Sequence, residues 1–127
     1  MIDFSTIARG ADSGFHTASL MVIKSGDKWA DVWEQHTSDT VPPPPIPQVD
    51  FTQHQVVAVF AGERNSSGYS VEILTVETRT DNLPSLVITV KYHQPQPGIF
   101  VLDVITHPYH IIKIPRIAVE RVIFERV

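Results

Sequence analysis

Val56-Val-Ala-Val-Phe-Ala-Gly62 runs into Glu63-Arg-Asn-Ser-Ser-Gly68 and then into Tyr69-Ser-Val-Glu-Ile73. Val56 to Ala61 is an unbroken apolar run, the pattern of a strand covered on both faces and set centrally in its sheet. A polar segment bounded by Gly62 and Gly68 comes next. Tyr69, Val71 and Ile73 then alternate with Ser70 and Glu72, as a strand with one buried face does. The three pieces together predict two strands joined by an exposed loop, with Gly68 a candidate for a positive φ.

Upstream of this stretch, Val41-Pro-Pro-Pro-Pro-Ile-Pro47 excludes helix and central strand and predicts an extended, polyproline-like spacer. A ligand for a proline-binding groove is the alternative, but no Arg or Lys flanks the run closely. Before it, Ser25 or Asp27 can cap a helix, and Trp29, Val32 and Trp33 form one apolar stripe at i, i+3 and i+4. The stripe predicts a short helix over about 26–37, anchored to a sheet by its tryptophans. Earlier still, Ile2 to Ile7 reads as an edge strand and Phe15 to Lys24 as a second strand, separated by turn residues.

Downstream, Leu74 and Val76 fall out of phase with Val71 and Ile73, so this strand is bulged or buried on both sides. Asp81-Asn-Leu-Pro84 marks a turn, and Leu86, Ile88, Val90 and Tyr92 alternate as the next strand. Pro97-Gly98 suits the centre of a type II turn. Ile99 to Thr106 reads as another strand, interrupted by His107-Pro-Tyr-His110, with Ile111 to Ile114 and Val119 to Phe124 completing the set. Seven or eight strands and one helix predict a mostly β fold, an antiparallel sandwich or partly open barrel with the helix closing one end or face.

The chain has 127 residues, enough for one domain with a real core, and no repeat or low-complexity linker divides it, so residues 1–127 are expected to form a single domain. Its net charge of -4, with no Lys/Arg cluster, offers no footprint for nucleic acid. The absence of cysteine excludes disulfides, thiolate nucleophiles and zinc–thiolate sites. The first residues lack a charged region followed by an apolar one, and no window reaches the ~20 apolar residues of a membrane span. The chain therefore reads as soluble and without an export signal.

Catalytic motifs are not apparent. Ser66-Ser67-Gly68 lacks the Gly-x-Ser-x-Gly elbow, Glu63 and Glu72 have no paired motif, and no glycine-rich phosphate loop enters a helix. Of six histidines only His107 and His110 are close in sequence. Three residues apart in a strand, they point to opposite faces and are read as strand-end polar residues rather than shared metal ligands. No catalytic residue, metal or cofactor is expected. Asn65-Ser66-Ser67 fits the N-glycosylation pattern, which without an export signal is read as coincidence.

The order of these pieces resembles the C-terminal domain of the PrcB family. Trp29 and Trp33, Val49-Asp50-Phe51, Gly62 to Ile73, Pro95-Gln-Pro-Gly98 and Thr106-His-Pro-Tyr-His110 follow the family's arrangement from roughly Ser25 to Pro115. Asn65, Ser66 and Ser67 stand where that family usually has Pro, Thr and Gly. The resemblance implies a non-enzymatic accessory or stabilising subunit of a protease complex, contacting a peptidase or another protein, in a family that is often exported. Its contact surface would be Arg64, Asn65, Ser66, Ser67, Gly68 and Tyr69, joined by His107 and Tyr109. The 63–69 loop is also similar to the inhibitory loop of chagasin-like cysteine-peptidase inhibitors, which implies direct peptidase inhibition as an alternative. A second alternative is a small-ligand or carbohydrate-binding sandwich using Trp29, Trp33 or Tyr92. The oligomeric state is left open.

Overall fold

A computed structural model describes residues 1–127 as three layers. The elements in chain order are β1 (Ser5–Gly10), β2 (Ser19–Ile23), α1 (Gly26–His36), β3 (His54–Phe60), β4 (Ser70–Arg79), β5 (Ser85–His93), β6 (Tyr109–Pro115) and β7 (Arg121–Arg126). One sheet has the order β1-β6-β3-β2 and the other β4-β5-β7. The first is antiparallel throughout, and in the second β7 runs parallel to β5.

The two-faced character of β3 generates the layering. Val56, Ala58 and Phe60 pack with Trp29, Val32 and Trp33 of α1, while Val57, Val59 and Ala61 face Val71, Ile73, Leu86, Ile88 and Val90 of the second sheet. β6 alternates the same way, Tyr109 and Ile111 towards the helix and Ile112 and Ile114 towards the second sheet. Every residue from Val56 to Ala61 is at most 2% exposed. Burying each large side chain of this run contributes on the order of 1.5–3 kcal/mol.

The helix begins where its cap predicts. Ser25 has extended backbone, and its hydroxyl accepts from the Lys28 amide at 3.3 Å. The indole N–H groups of Trp29 and Trp33 donate to the carbonyls of Pro47 and Pro44, both at 3.0 Å, so the proline-rich spacer lies against α1. Trp29 and Trp33 are 2% and 8% exposed, which removes them as a sugar-binding surface. Tyr92 lies under the Arg126 guanidinium, 4.5 Å from its ring centre.

Three expectations are corrected. β3 and β4 do not form a hairpin: both edges of β3 are occupied, by β2 and β6, so the chain crosses to the other sheet and β4 pairs with β5 instead. Residues 99–105 form no strand: the segment lies along the 64–68 loop, bonded by the Ser67 amide to Leu102 O and flanked by the Arg64–Thr106 backbone pair, and joins neither sheet. The first strand starts at Ser5 rather than Ile2. The Ile2 amide donates to the Val76 carbonyl of β4 at 2.7 Å and the Arg9 side chain to Val71 O at 3.1 Å, so the N-terminal segment bridges the two sheets. The phase change at Leu74 is a bulge between Ile73 and Thr75.

Candidate functional site

The chain leaving β3 turns at Gly62, whose φ of 79° is the left-handed conformation that favours glycine. Its Ala18 neighbour also lies 2.8 Å from where a β-carbon would stand. From there residues 64–68 lie along 102–106. Arg64 and Thr106 exchange both backbone hydrogen bonds, at 2.8 and 2.9 Å. The Ser67 amide donates to Leu102 O at 3.0 Å, and the Leu102 amide returns a bond to Ser67 Oγ at 2.8 Å. Thr106 Oγ1 donates to Ser66 O at 2.9 Å, and Ser66 Oγ accepts from the Gly68 amide at 3.2 Å. The two loops thus form one clasp, in which both serine hydroxyls serve the backbone.

Gly68 is required here by space rather than by φ. A β-carbon would sit 2.6 Å from the Pro95 ring and 2.7 Å from Val101. Gly62 and Gly98 are the positive-φ glycines, Gly98 (81°) closing a turn in which the Ile99 amide donates to Gln96 O at 3.2 Å.

The expected contact residues divide by accessibility. Asn65 and Ser67 are exposed, and Arg64, Gly68, Tyr69 and His107 are half-buried. Ser66 and Tyr109 are 8% and 9% exposed: Ser66 is tucked under the clasp, and Tyr109 packs in the helix-side core with its ring against Gly10. Neither offers a surface to a partner. Glu63, Arg64, Asn65 and Tyr69 line a shallow pocket of about 260 Å³, with the Arg64 guanidinium 6.0 Å from the Tyr69 ring centre.

Beside the clasp the chain displays an apolar run that the sequence reading assigned to a strand. Ile99, Leu102, Val104 and Ile105 are exposed, and Phe100 is 88% exposed. Its letters are those of a core strand, but it pairs with the 64–68 loop and joins no sheet, which leaves these side chains outward.

The histidines separate as their spacing requires. His107 stacks on His16 with ring centres 4.2 Å apart; His16 Nε2 lies 2.7 Å from Asp39 Oδ2, and His107 Nε2 3.8 Å from Glu63 Oε1. His110, the second residue of β6, points instead between the sheets. Its Nδ1 accepts from the Ile73 amide at 2.9 Å, which leaves the proton on Nε2, 2.9 Å from Thr6 Oγ1. Burial, then the Arg9 charge, push it down to about 4 against the opposing pull of Glu72. No group of three or more His, Asp or Glu side chains converges on one point.

One Ser–His pair was not legible in the sequence. Ser13 Oγ lies 2.8 Å from His36 Nδ1 and accepts from the Phe15 amide at 3.1 Å. Ser13 is fully buried, where no substrate reaches it, and the pair fastens the β1–β2 connection to the end of α1. Burial lowers the His36 pKa, with Asp12 opposing.

Two facing sheets, a helix over the outer face of one and a loop clasp at the end of β3 define a helix-capped β-sandwich. Residues 55–115 match the family model described as PrcB C-terminal, a likeness that spans just under half of the chain. Neither a curated protein nor a solved structure matches the chain. The matched span covers β3 to β6 and both halves of the clasp; Trp29, Trp33 and Val49 to Phe51 fall outside it. No helix is long and apolar enough to cross a membrane.

Proposed function

We propose that this domain is a non-enzymatic protein-binding module, an accessory or stabilising part of a peptidase complex. Its contact surface is the clasp: Arg64, Asn65, Ser67 and Tyr69 on one side and the apolar run from Ile99 to Ile105 on the other, with His107 at the margin. The observation that carries the reading is that run. A sequence of core composition stands in solvent while backbone bonds from Ser67 and Thr106 hold it in place. Contiguous exposed apolar groups of this kind are characteristic of protein contact sites. The match of residues 55–115 to the PrcB C-terminal family model supports a peptidase as the class of partner. The buried Ser66 and the backbone pairing of Arg64 hold the 63–69 loop down, which speaks against its entering a cleft alone as an inhibitor's loop does.

The test is size-exclusion co-elution of the domain with a subtilisin-like and a papain-like peptidase, with residual activity assayed in each fraction. A complex with activity kept or prolonged, and lost in Phe100→Ser/Leu102→Ser, supports the accessory role. A complex with activity abolished shifts the reading to inhibition. No complex with either peptidase would overturn it.

A further inference from the structure

A cavity of about 750 Å³ opens at the end of the first sheet opposite the clasp, bounded by the end of β2, the start of β3 and the β6–β7 connection. Lys24, Thr52, Gln53, Gln55 and Arg116 form its polar lining, and Ile117 and Val119 part of its apolar one. No Asp or Glu lines it, although the chain as a whole is acidic. Neither Lys24 nor Arg116 takes part in an ion pair. Arg116 is held in place by its amide bond to Gln53 O and by Nη1 to Phe51 O, both 2.8 Å, which leaves its remaining N–H groups free.

Gln55 is the telling residue. It is 2% exposed, and its side-chain Oε1 is buried without a hydrogen-bond partner. A buried polar atom left unpaired is costly, and native structures contain few of them. The terminal torsion of glutamine is soft, so the amide can turn towards the cavity at small cost and present both a donor and an acceptor.

We infer that this cavity binds a small organic anion carrying a hydroxyl beside its charged group. Arg116 and Lys24 meet the carboxylate or phosphate oxygens, and the Gln55 amide takes the hydroxyl and one further oxygen. The site stands apart from the clasp and does not rest on the protein-binding reading.

Isothermal titration at low ionic strength with citrate, with tricarballylate (citrate without its hydroxyl) and with glycerol 3-phosphate tests it. Saturable binding of citrate identifies the carboxylate form of the ligand, and of glycerol 3-phosphate the phosphate form. Citrate should bind about tenfold more tightly than tricarballylate, the weight of one well-placed hydrogen bond. Arg116→Met should weaken whichever anion binds by roughly tenfold, and Gln55→Leu should erase the preference for the hydroxylated one. Unchanged tryptophan fluorescence confirms that both variants are folded. No saturable binding of any of the three, equal affinity for citrate and tricarballylate, or an unaffected Arg116→Met protein would overturn the assignment.

Discussion

Acidification should loosen this domain through His110, and the size of the effect follows from its surroundings. In the folded chain the imidazole is held neutral, because Nδ1 must keep a lone pair for the Ile73 amide and burial disfavours the cation. An unfolded histidine takes up its proton near 6.5 and the folded one only near 4. Between these values the unfolded state holds the extra proton, so this contribution is complete above 6.5 and lost as the pH falls to about 4. At about 1.4 kcal/mol per pH unit, the loss over that interval is about 3 kcal/mol. His36, also lowered by burial, acts in the same direction. His110→Asn keeps an acceptor for Ile73 but cannot titrate. Urea unfolding followed by the buried tryptophans, at steps from pH 7 to pH 4, should show the wild-type protein losing about 3 kcal/mol more than the variant. Carboxylate titration is common to both proteins and cancels in the comparison. Parallel stability curves for the two would refute the reasoning, as would an NMR titration of His110 with a midpoint near 6.5.

Three further substitutions probe the packing. Gly68→Ala drives a β-carbon into Pro95 and Val101 and should cost about 1–3 kcal/mol; hydrogen exchange should quicken at Ser67 and Leu102 while β3 stays protected. Ser13→Ala strands both the His36 imidazole and the Phe15 amide in the interior, with an expected loss of about 1–3 kcal/mol in denaturant unfolding. Trp33→Phe keeps a ring in the helix-side core but drops the bond to the Pro44 carbonyl. It should cost about 1 kcal/mol and make the 41–47 segment a faster target for a non-specific protease.

The scaffold was readable where one residue's environment is decided by its near neighbours. Val56 to Ala61 announces a strand buried on both faces, Trp29, Val32 and Trp33 a helix with one buried stripe, and the broken phase at Leu74 a bulge. Pairing was not readable in this way. That β4 belongs to the other sheet follows from β2 and β6 already flanking β3, and β6 lies some fifty residues further on. The parallel seat of β7 beside β5 is equally remote from local pattern. The same limit governs the site. Ile99 to Ile105 has the composition of a core strand and becomes surface because its backbone partner is the distant 64–68 loop and not a strand of either sheet. Ser66 and Tyr109 look like contact residues by position but are covered by segments distant in sequence. Gln55 reads as one more polar residue at a strand start, and its buried, unpartnered Oε1 emerges only once β6 and the connection to β7 close over it.

The bonds from Trp29 and Trp33 to the Pro47 and Pro44 carbonyls give the proline-rich run a meaning beyond that of a spacer. Indole donors reaching the carbonyls of an extended, proline-rich chain are the means by which separate recognition domains hold such peptides. Here groove and peptide share one polypeptide, so the peptide is presented to the helix at a local concentration of roughly millimolar or more. An outside proline-binding domain would have to compete against that tethered occupant, and a free peptide copying residues 41–47 would be outcompeted in turn. The run is a ligand whose receptor is already attached.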